Sequence, residues 1–174
     1  MHEVLLVEKT DEPDGALISI GPDGGVLKRR LLLPLTFTRK VLLGSTKLEM
    51  TLQCELFDER YEARRVNVQA PEGFVSTRDL TQLGIPRVIR SIASDLVPDF
   101  AVWTALGMRG SPLIEELRQD HIYLAQMYWL HNAVHGKPRI ELAEALGISK
   151  STSNVLLRRI EETIPLPREN SVKN

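Results

Sequence analysis

A glycine set between two apolar stripes of helical period constrains this chain more than any other feature. In residues 138–164, PRIELAEALGISKSTSNVLLRRIEETI, Leu142 and Leu146 stand one turn apart, with the small Ala143 between them. That spacing packs one helix closely onto another. Gly147 can adopt positive φ without a Cβ clash, so it ends the first helix and lets the chain reverse within three residues. Ile148 plugs the corner, and Ser149 suits the N-cap of a second helix over residues 150–162. Leu156 and Ile160 are expected to continue that helix's buried stripe. With Arg139 as the first position, the spacing is that of a helix-turn-helix.

The side chains left outward on the second helix are Lys150, Ser151, Asn154, Val155 and Arg158, with Arg159 to one side. Asn pairs with adenine through two hydrogen bonds and Arg with guanine, Ser reaches a phosphate or a base, and Val touches a thymine methyl. Free N–H groups at the Ser149 and Ser151 end suit a phosphate. The expected DNA-binding set is therefore Ser149, Lys150, Ser151, Asn154, Val155, Arg158 and Arg159. The fifteenth motif position, commonly branched and apolar, is Ser153, which still allows close helix contact. A plain helical hairpin that only packs a core is the alternative.

Upstream, residues 114–135, IEELRQDHIYLAQMYWLHNAVH, read as one long helix closed by Gly136 and Pro138. It supplies the third helix that such a unit needs to bury its apolar faces. Tyr123, Tyr128 and Trp129 put three of the nine aromatic residues in one seven-residue window. That is more apolar surface than a helix-turn-helix face covers, so this helix should also meet the N-terminal part or a second copy.

The run YLAQMYWLHNAVHGKPRIELAEALGISKSTSNVLLRRIEE resembles the homeodomain-like helix-turn-helix of bacterial and phage transcription regulators. It is similar in particular to a group of actinobacterial and actinophage proteins whose ends run "long helix, Pro, A-E-x-L-G-[VI]-S-[RK]-S-T". Asp79, Leu80, Leu83 and Ile85 match that group's shorter upstream pattern. The resemblance implies DNA binding in a bacterial or phage cytoplasm. This chain has Leu156 and Leu157 where the group often has an aromatic residue, and ends Thr-Ile-Pro-Leu-Pro in place of Gly-Leu-Leu.

Charge limits how strongly such a unit can hold DNA. The 174 residues carry a net charge of −1, and only residues 118–174 are basic, with eight Lys or Arg against six Asp or Glu. Phosphate attraction from one copy is then modest and salt dependent, so useful affinity calls for two copies, a second contact surface or a partner protein. Cys54 is the sole cysteine, which excludes an intramolecular disulfide and a thiol zinc cluster. Its setting reads as strand interior, where Cys acts as a small hydrophobe. With no secretory apolar region after Met1 and no run of eighteen apolar residues, a soluble cytoplasmic chain with no membrane partner is expected.

The first seventy residues read as strands. Residues 3–7 and 16–20 flank the turn cluster Asp11-Glu-Pro-Asp-Gly15 and are expected to form a hairpin. After the turn Gly21-Pro-Asp-Gly-Gly25, residues 26–33, 39–43, 47–57 and 61–69 follow as further strands. Leu48, Met50, Leu52, Cys54 and Leu56 alternate with polar neighbours, the period of a sheet with one wet face. A five- or six-stranded antiparallel meander is the natural assembly. Ser76 or Thr77 then caps a short helix broken at Gly84 and Pro86, and a second runs over residues 87–96. LTQLGIPRVIRSIAS has the outline of a second small helix-turn-helix, but its leading helix is short, so packing under the sheet is the expected role.

The expected architecture is α+β, an N-terminal antiparallel β-sheet with short helices followed by a C-terminal trihelical helix-turn-helix domain. The boundaries are a β-rich domain over 1–97, a linker over 98–113 in which Phe100, Val102, Trp103 and Leu106 dock in part, the helix-turn-helix over 114–165 and a flexible tail over 166–174. His131 and His135 lack a third ligand at metal-binding spacing and read as exposed helix-end residues. With no phosphate loop, nucleophile elbow or paired carboxylates, neither an enzyme nor a cofactor is expected. The expected function is a sequence-specific transcriptional regulator that binds double-stranded DNA as a homodimer or with a protein partner. The alternatives are a protein-interaction module, such as a phage protein acting on host transcription machinery, and an accessory factor in recombination or packaging.

Overall fold

The computed structural model describes residues 4–44, 47–98, 100–103 and 112–168. Six strands come first: β1 (Val4–Lys9), β2 (Leu17–Gly24), β3 (Arg29–Pro34), β4 (Thr36–Leu43), β5 (Leu48–Phe57) and β6 (Arg60–Gln69). Among the described residues eight helices follow: α1 (Thr77–Gln82), α2 (Ile85–Ser91), α3 (Ala93–Leu96), α4 (Phe100–Trp103), α5 (Pro112–Gln119), α6 (His121–Ala133), α7 (Pro138–Leu146) and α8 (Lys150–Glu161). The class is α+β, with antiparallel strands before the helices.

The strands do not form one meander. A four-stranded antiparallel sheet has the order β1-β4-β5-β6, and β2 pairs only with β3 in a separate ribbon. The expected hairpin of residues 3–7 with 16–20 is also absent, since β1 runs antiparallel to β4, from Val4 opposite Leu43 to Lys9 opposite Arg39. The reason is Arg39, whose side chain is 1% exposed. Its guanidinium grips Asp14 at 2.6 and 2.8 Å and also bonds Asp95 of α3. Holding Asp14 there draws the 10–16 loop across the sheet edge in place of a tight turn. Gly15 N–H then donates to Thr36 C=O at 2.8 Å. Burial lowers the Arg39 pKa, but the two carboxylates outweigh it and leave it raised; the hydrogen bond from Arg39 lowers that of Asp14.

Leu35 is the bend between β3 and β4, so one run of chain serves the ribbon with its first half and the sheet with its second. Leu56 N–H to Leu35 C=O at 2.8 Å and Tyr61 Oη–H to Pro34 C=O at 2.7 Å fix that bend. Leu48, Met50, Leu52 and Cys54 are buried as the alternation of β5 requires. Ser76 and Asp79 form a reciprocal capping box on α1, a helix that buries none of its own residues. Val88, Ile89, Ile92, Ala93 and Leu96 face inward from the next two helices, which agrees with packing as their role.

The expected single helix over 114–135 is two helices. Asp120 separates them: its carboxylate caps α6 by accepting from Ile122 N–H at 3.0 Å and Tyr123 N–H at 3.3 Å, and accepts from Val26 N–H at 2.5 Å. The partner ninety-four residues away fixes the break. From there α6 passes through the centre of the molecule, with every residue from Tyr123 to Tyr128 buried. Its apolar surplus is met within the chain. Gln126 Nε2 donates to the carbonyls of Pro22 and Arg29, both at 2.9 Å, Tyr123 Oη–H to that of Trp103 at 2.8 Å and Asn132 Nδ2 to that of Glu59 at 3.2 Å. Sheet, ribbon and helices share one apolar core, Leu31, Met50, Leu124, Leu130 and Leu157 among its members.

Gly21 lets the ribbon come close to α6. It has φ +70°, and a Cβ there would lie 2.8 Å from Trp129 Cδ1. Trp129 Nε1 donates to Pro165 C=O at 3.3 Å, so the chain after α8 folds back onto α6. Leu166 packs against the core and Pro167 is buried, which corrects the expected start of a free tail at residue 166. Residues 169–174 lie outside the described residues. So do 99 and 104–111 of the expected linker; of the rest Trp103 is buried. No described helix is long and apolar enough to cross a membrane.

Candidate nucleic-acid interface

The corner between α7 and α8 is built from local hydrogen bonds. Gly147 has φ 67° and ψ 31°, the left-handed conformation that only glycine adopts without strain. Ile148 N–H donates to Ala143 C=O at 3.0 Å and Gly147 N–H to Glu144 C=O at 3.1 Å, the Schellman pairing that ends a helix cleanly. Ser149 then caps α8, its Oγ accepting from Thr152 N–H at 3.1 Å. Pro138 opens α7 at a position where its missing N–H costs nothing. Leu142 and Ala143 face inward from α7, and Ser153, Leu157 and Ile160 from α8.

One feature of α8 differs from the sequence expectation. Leu157 and not Leu156 carries the buried stripe, with Leu156 half-buried beside it. Ser153, at the motif position usually apolar, is 1% exposed, and its Oγ donates to Arg139 C=O at 3.3 Å. A small hydroxyl lets the helices close together and meets an acceptor at the start of α7.

Of the seven expected contact residues, Ser149, Lys150, Ser151, Val155, Arg158 and Arg159 are exposed, Val155 at 51%. Asn154 is half-buried, and its Oδ1 is shielded from solvent with no hydrogen-bond partner. Ser149 Oγ is engaged in the cap and lies 2.8 Å from both Ser151 Oγ and Thr152 Oγ1, so the outward polar groups at this end are Ser151 and Thr152. Among the described residues Lys150, Arg158 and Arg159 form no ion pair, which leaves three cations on one helix facing solvent. Arg139, absent from the expected set, sits with its guanidinium 5.9 Å from the Tyr128 ring and 3.8 Å from Glu161. The sequence marks it only as the first motif position; its place beside α8 is a tertiary fact.

The base of α7 is held by a charged junction that the sequence did not suggest. Glu141 accepts from Lys137 N–H at 3.0 Å, meets Arg90 of α2 at 2.5 Å and bonds His131 Nδ1 of α6. Burial works against its ionisation, but His131, the Lys137 N–H and Arg90 together hold its pKa down to about 2. His135, at φ 58°, bonds Tyr61 C=O through Nε2 at 2.5 Å. Both histidines are thus half-buried links between elements and not exposed helix-end residues, because the sheet and α7 close over this end of α6. No group of three or more His, Cys, Asp or Glu suited to a metal occurs among the described residues.

Elsewhere, a groove of about 480 Å³ over the sheet is lined by residues that include Leu6, Glu8, Lys40, Glu49, Thr51 and Gln69. Its charges are mixed and select no ligand sign. Neither a protein-family model, nor a curated protein, nor a solved structure matches the chain.

Proposed function

We propose that the protein is a sequence-specific DNA-binding regulator in which α6, α7 and α8 form a trihelical helix-turn-helix unit and α8 lies in the major groove. The observation that carries this reading is the sharp glycine corner followed by a capped helix on which Lys150, Arg158 and Arg159 are exposed and, among the described residues, form no ion pair. Arg158 and Val155 reach base edges in this arrangement, whereas Lys150, Ser151 and Arg159 hold phosphates. The ribbon and β6 pack on α6, which carries α7 and through it the reading helix. A second copy or a protein partner supplies the rest of the affinity, since three free cations release few counterions.

A protein-interaction module would need free apolar surface on α6. Nine of its thirteen residues are buried within the chain, and it packs against β2, β6, α5 and α7. The test is to incubate the protein with sheared genomic DNA at low and moderate salt and sequence what it retains. A shared motif whose preference at one base pair relaxes in Arg158→Ala, at a cost of about 1–3 kcal/mol, is the expected outcome. Lys150→Ala should weaken all sites alike and reduce the salt dependence by about one phosphate contact. Retention of no motif at either salt would overturn the proposal.

A further inference from the structure

Three amide side chains in the helical half keep a shielded oxygen without a partner: Gln126, Asn132 and Asn154. Two of them have a structural reason. The Gln126 nitrogen bonds the carbonyls of Pro22 and Arg29, and the Asn132 nitrogen that of Glu59. Gln126 ties α6 to the two strands of the ribbon and Asn132 ties it to the turn between β5 and β6, and the idle oxygen of each is the residue of that geometry. Asn154 is different, because among the described residues its amide makes no hydrogen bond at either end. It brings the fold a shielded, unmet acceptor and no tie in return.

Its surroundings point outward. Asn154 lies one turn after Lys150 and one turn before Arg158, on a stripe with two cations that form no ion pair among the described residues. Turning the carbonyl inward and the NH2 outward is the less costly orientation, since one under-used acceptor is easier to bury than two unmet donors. The group presented is therefore a donor.

We propose that Asn154 reads DNA as a hydrogen-bond donor only, through its NH2 to an acceptor on a base edge, and not as the two-way adenine reader that its residue type suggests. This rests on the reading of α8 as the DNA-contacting helix. Two-way recognition of adenine needs the amide oxygen to accept from N6 while the nitrogen donates to N7. With the oxygen turned into the protein, only the second half remains. The acceptors that fit are purine N7, guanine O6 and thymine O4.

The experiment selects sites from a random duplex library with the wild type and with Asn154→Ala, and identifies the base pair whose preference the variant loses. That base is then replaced by analogues that delete one major-groove group: 7-deazapurines for N7, 2-aminopurine for guanine O6, 5-methyl-2-pyrimidinone for thymine O4, and unsubstituted purine for the adenine N6 amine. Loss of the acceptor should weaken wild-type binding at least about fivefold and leave Asn154→Ala unchanged; loss of the donor should change neither. Equal sensitivity of the wild type to donor and acceptor deletion, or a variant that keeps every base preference, overturns the inference while the DNA reading stands. A wild type that selects no motif overturns both. Thermal unfolding supplies a control: the midpoint of Asn154→Ala should match or exceed the wild type, and a fall of several degrees would assign the side chain to the fold instead.

Discussion

Replacing Glu141 by glutamine removes one charge and almost no volume at the point where α2, α6 and α7 meet. The carboxylate is 13% exposed and serves Arg90, His131 and the Lys137 N–H together. Its pKa falls from an ordinary 4.5 to about 2, a difference worth about 3 kcal/mol in favour of the ionised form in the folded chain. Glutamine still accepts from Lys137 N–H, so the expected loss at neutral pH is about 1–3 kcal/mol, or roughly 3–10 °C in the unfolding midpoint for a chain of this size. Because the folded pKa is depressed, the contribution is complete above about pH 4.5 and is lost as pH falls towards 2. The gap between wild type and variant should therefore be full at pH 6 and reduced by about half at pH 3. Urea unfolding at several pH values, followed by far-ultraviolet circular dichroism, reads it directly. A difference below about 0.5 kcal/mol at pH 6, or one that persists undiminished at pH 3, would refute the claim that an ionised Glu141 anchors α7.

Arg39→Ala should cost about 3–5 kcal/mol, because it leaves Asp14 and Asp95 facing a vacated site; denaturant unfolding of the variant measures it, and a loss under about 1 kcal/mol would show that water replaces the guanidinium. Burial pushes the Cys54 thiol up to about 12, so it should resist a thiol reagent at pH 8 in the native state and react at once in denaturant; rapid native labelling would contradict its place in β5. Gly21→Ala should destabilise through both positive φ and the clash with Trp129, with a red-shifted Trp emission as the ribbon lifts from α6. Ser149→Ala should cost about 1 kcal/mol through the lost cap on α8, measured by thermal unfolding.

The parts of the site that were legible in the sequence are those decided by neighbours in the chain. Gly147 and Ser149 set a corner whose hydrogen bonds all fall within a few residues, and the exposure of Lys150, Val155, Arg158 and Arg159 follows from helical period once the corner is placed. Two adjacent leucines, 156 and 157, are equivalent to a periodicity argument, and only packing against α6 and α7 selected the second. Asn154 matched the residue type of a base reader, but how its amide is turned depends on atoms from outside its own helix.

Strand identity was written in the alternation of residues such as Leu48, Met50, Leu52 and Cys54, which needs no knowledge of partners. Pairing was not, because a strand's period fixes which face is apolar and says nothing about which edge it meets. Arg39 decided that by holding Asp14 of the 10–16 loop and Asp95 of α3 on one guanidinium. Asp120 likewise reads as an ordinary helical residue until Val26, far away in sequence, donates to it and makes it a cap. The periods, the corner at Gly147 and the caps at Ser76 and Ser149 were readable from the chain alone, because backbone sterics and hydrogen bonds to near neighbours act within a few residues. The tertiary structure alone decided strand order, the break at Asp120 and the burial of α6, because those depend on polar groups that find each other only after the chain has closed on itself.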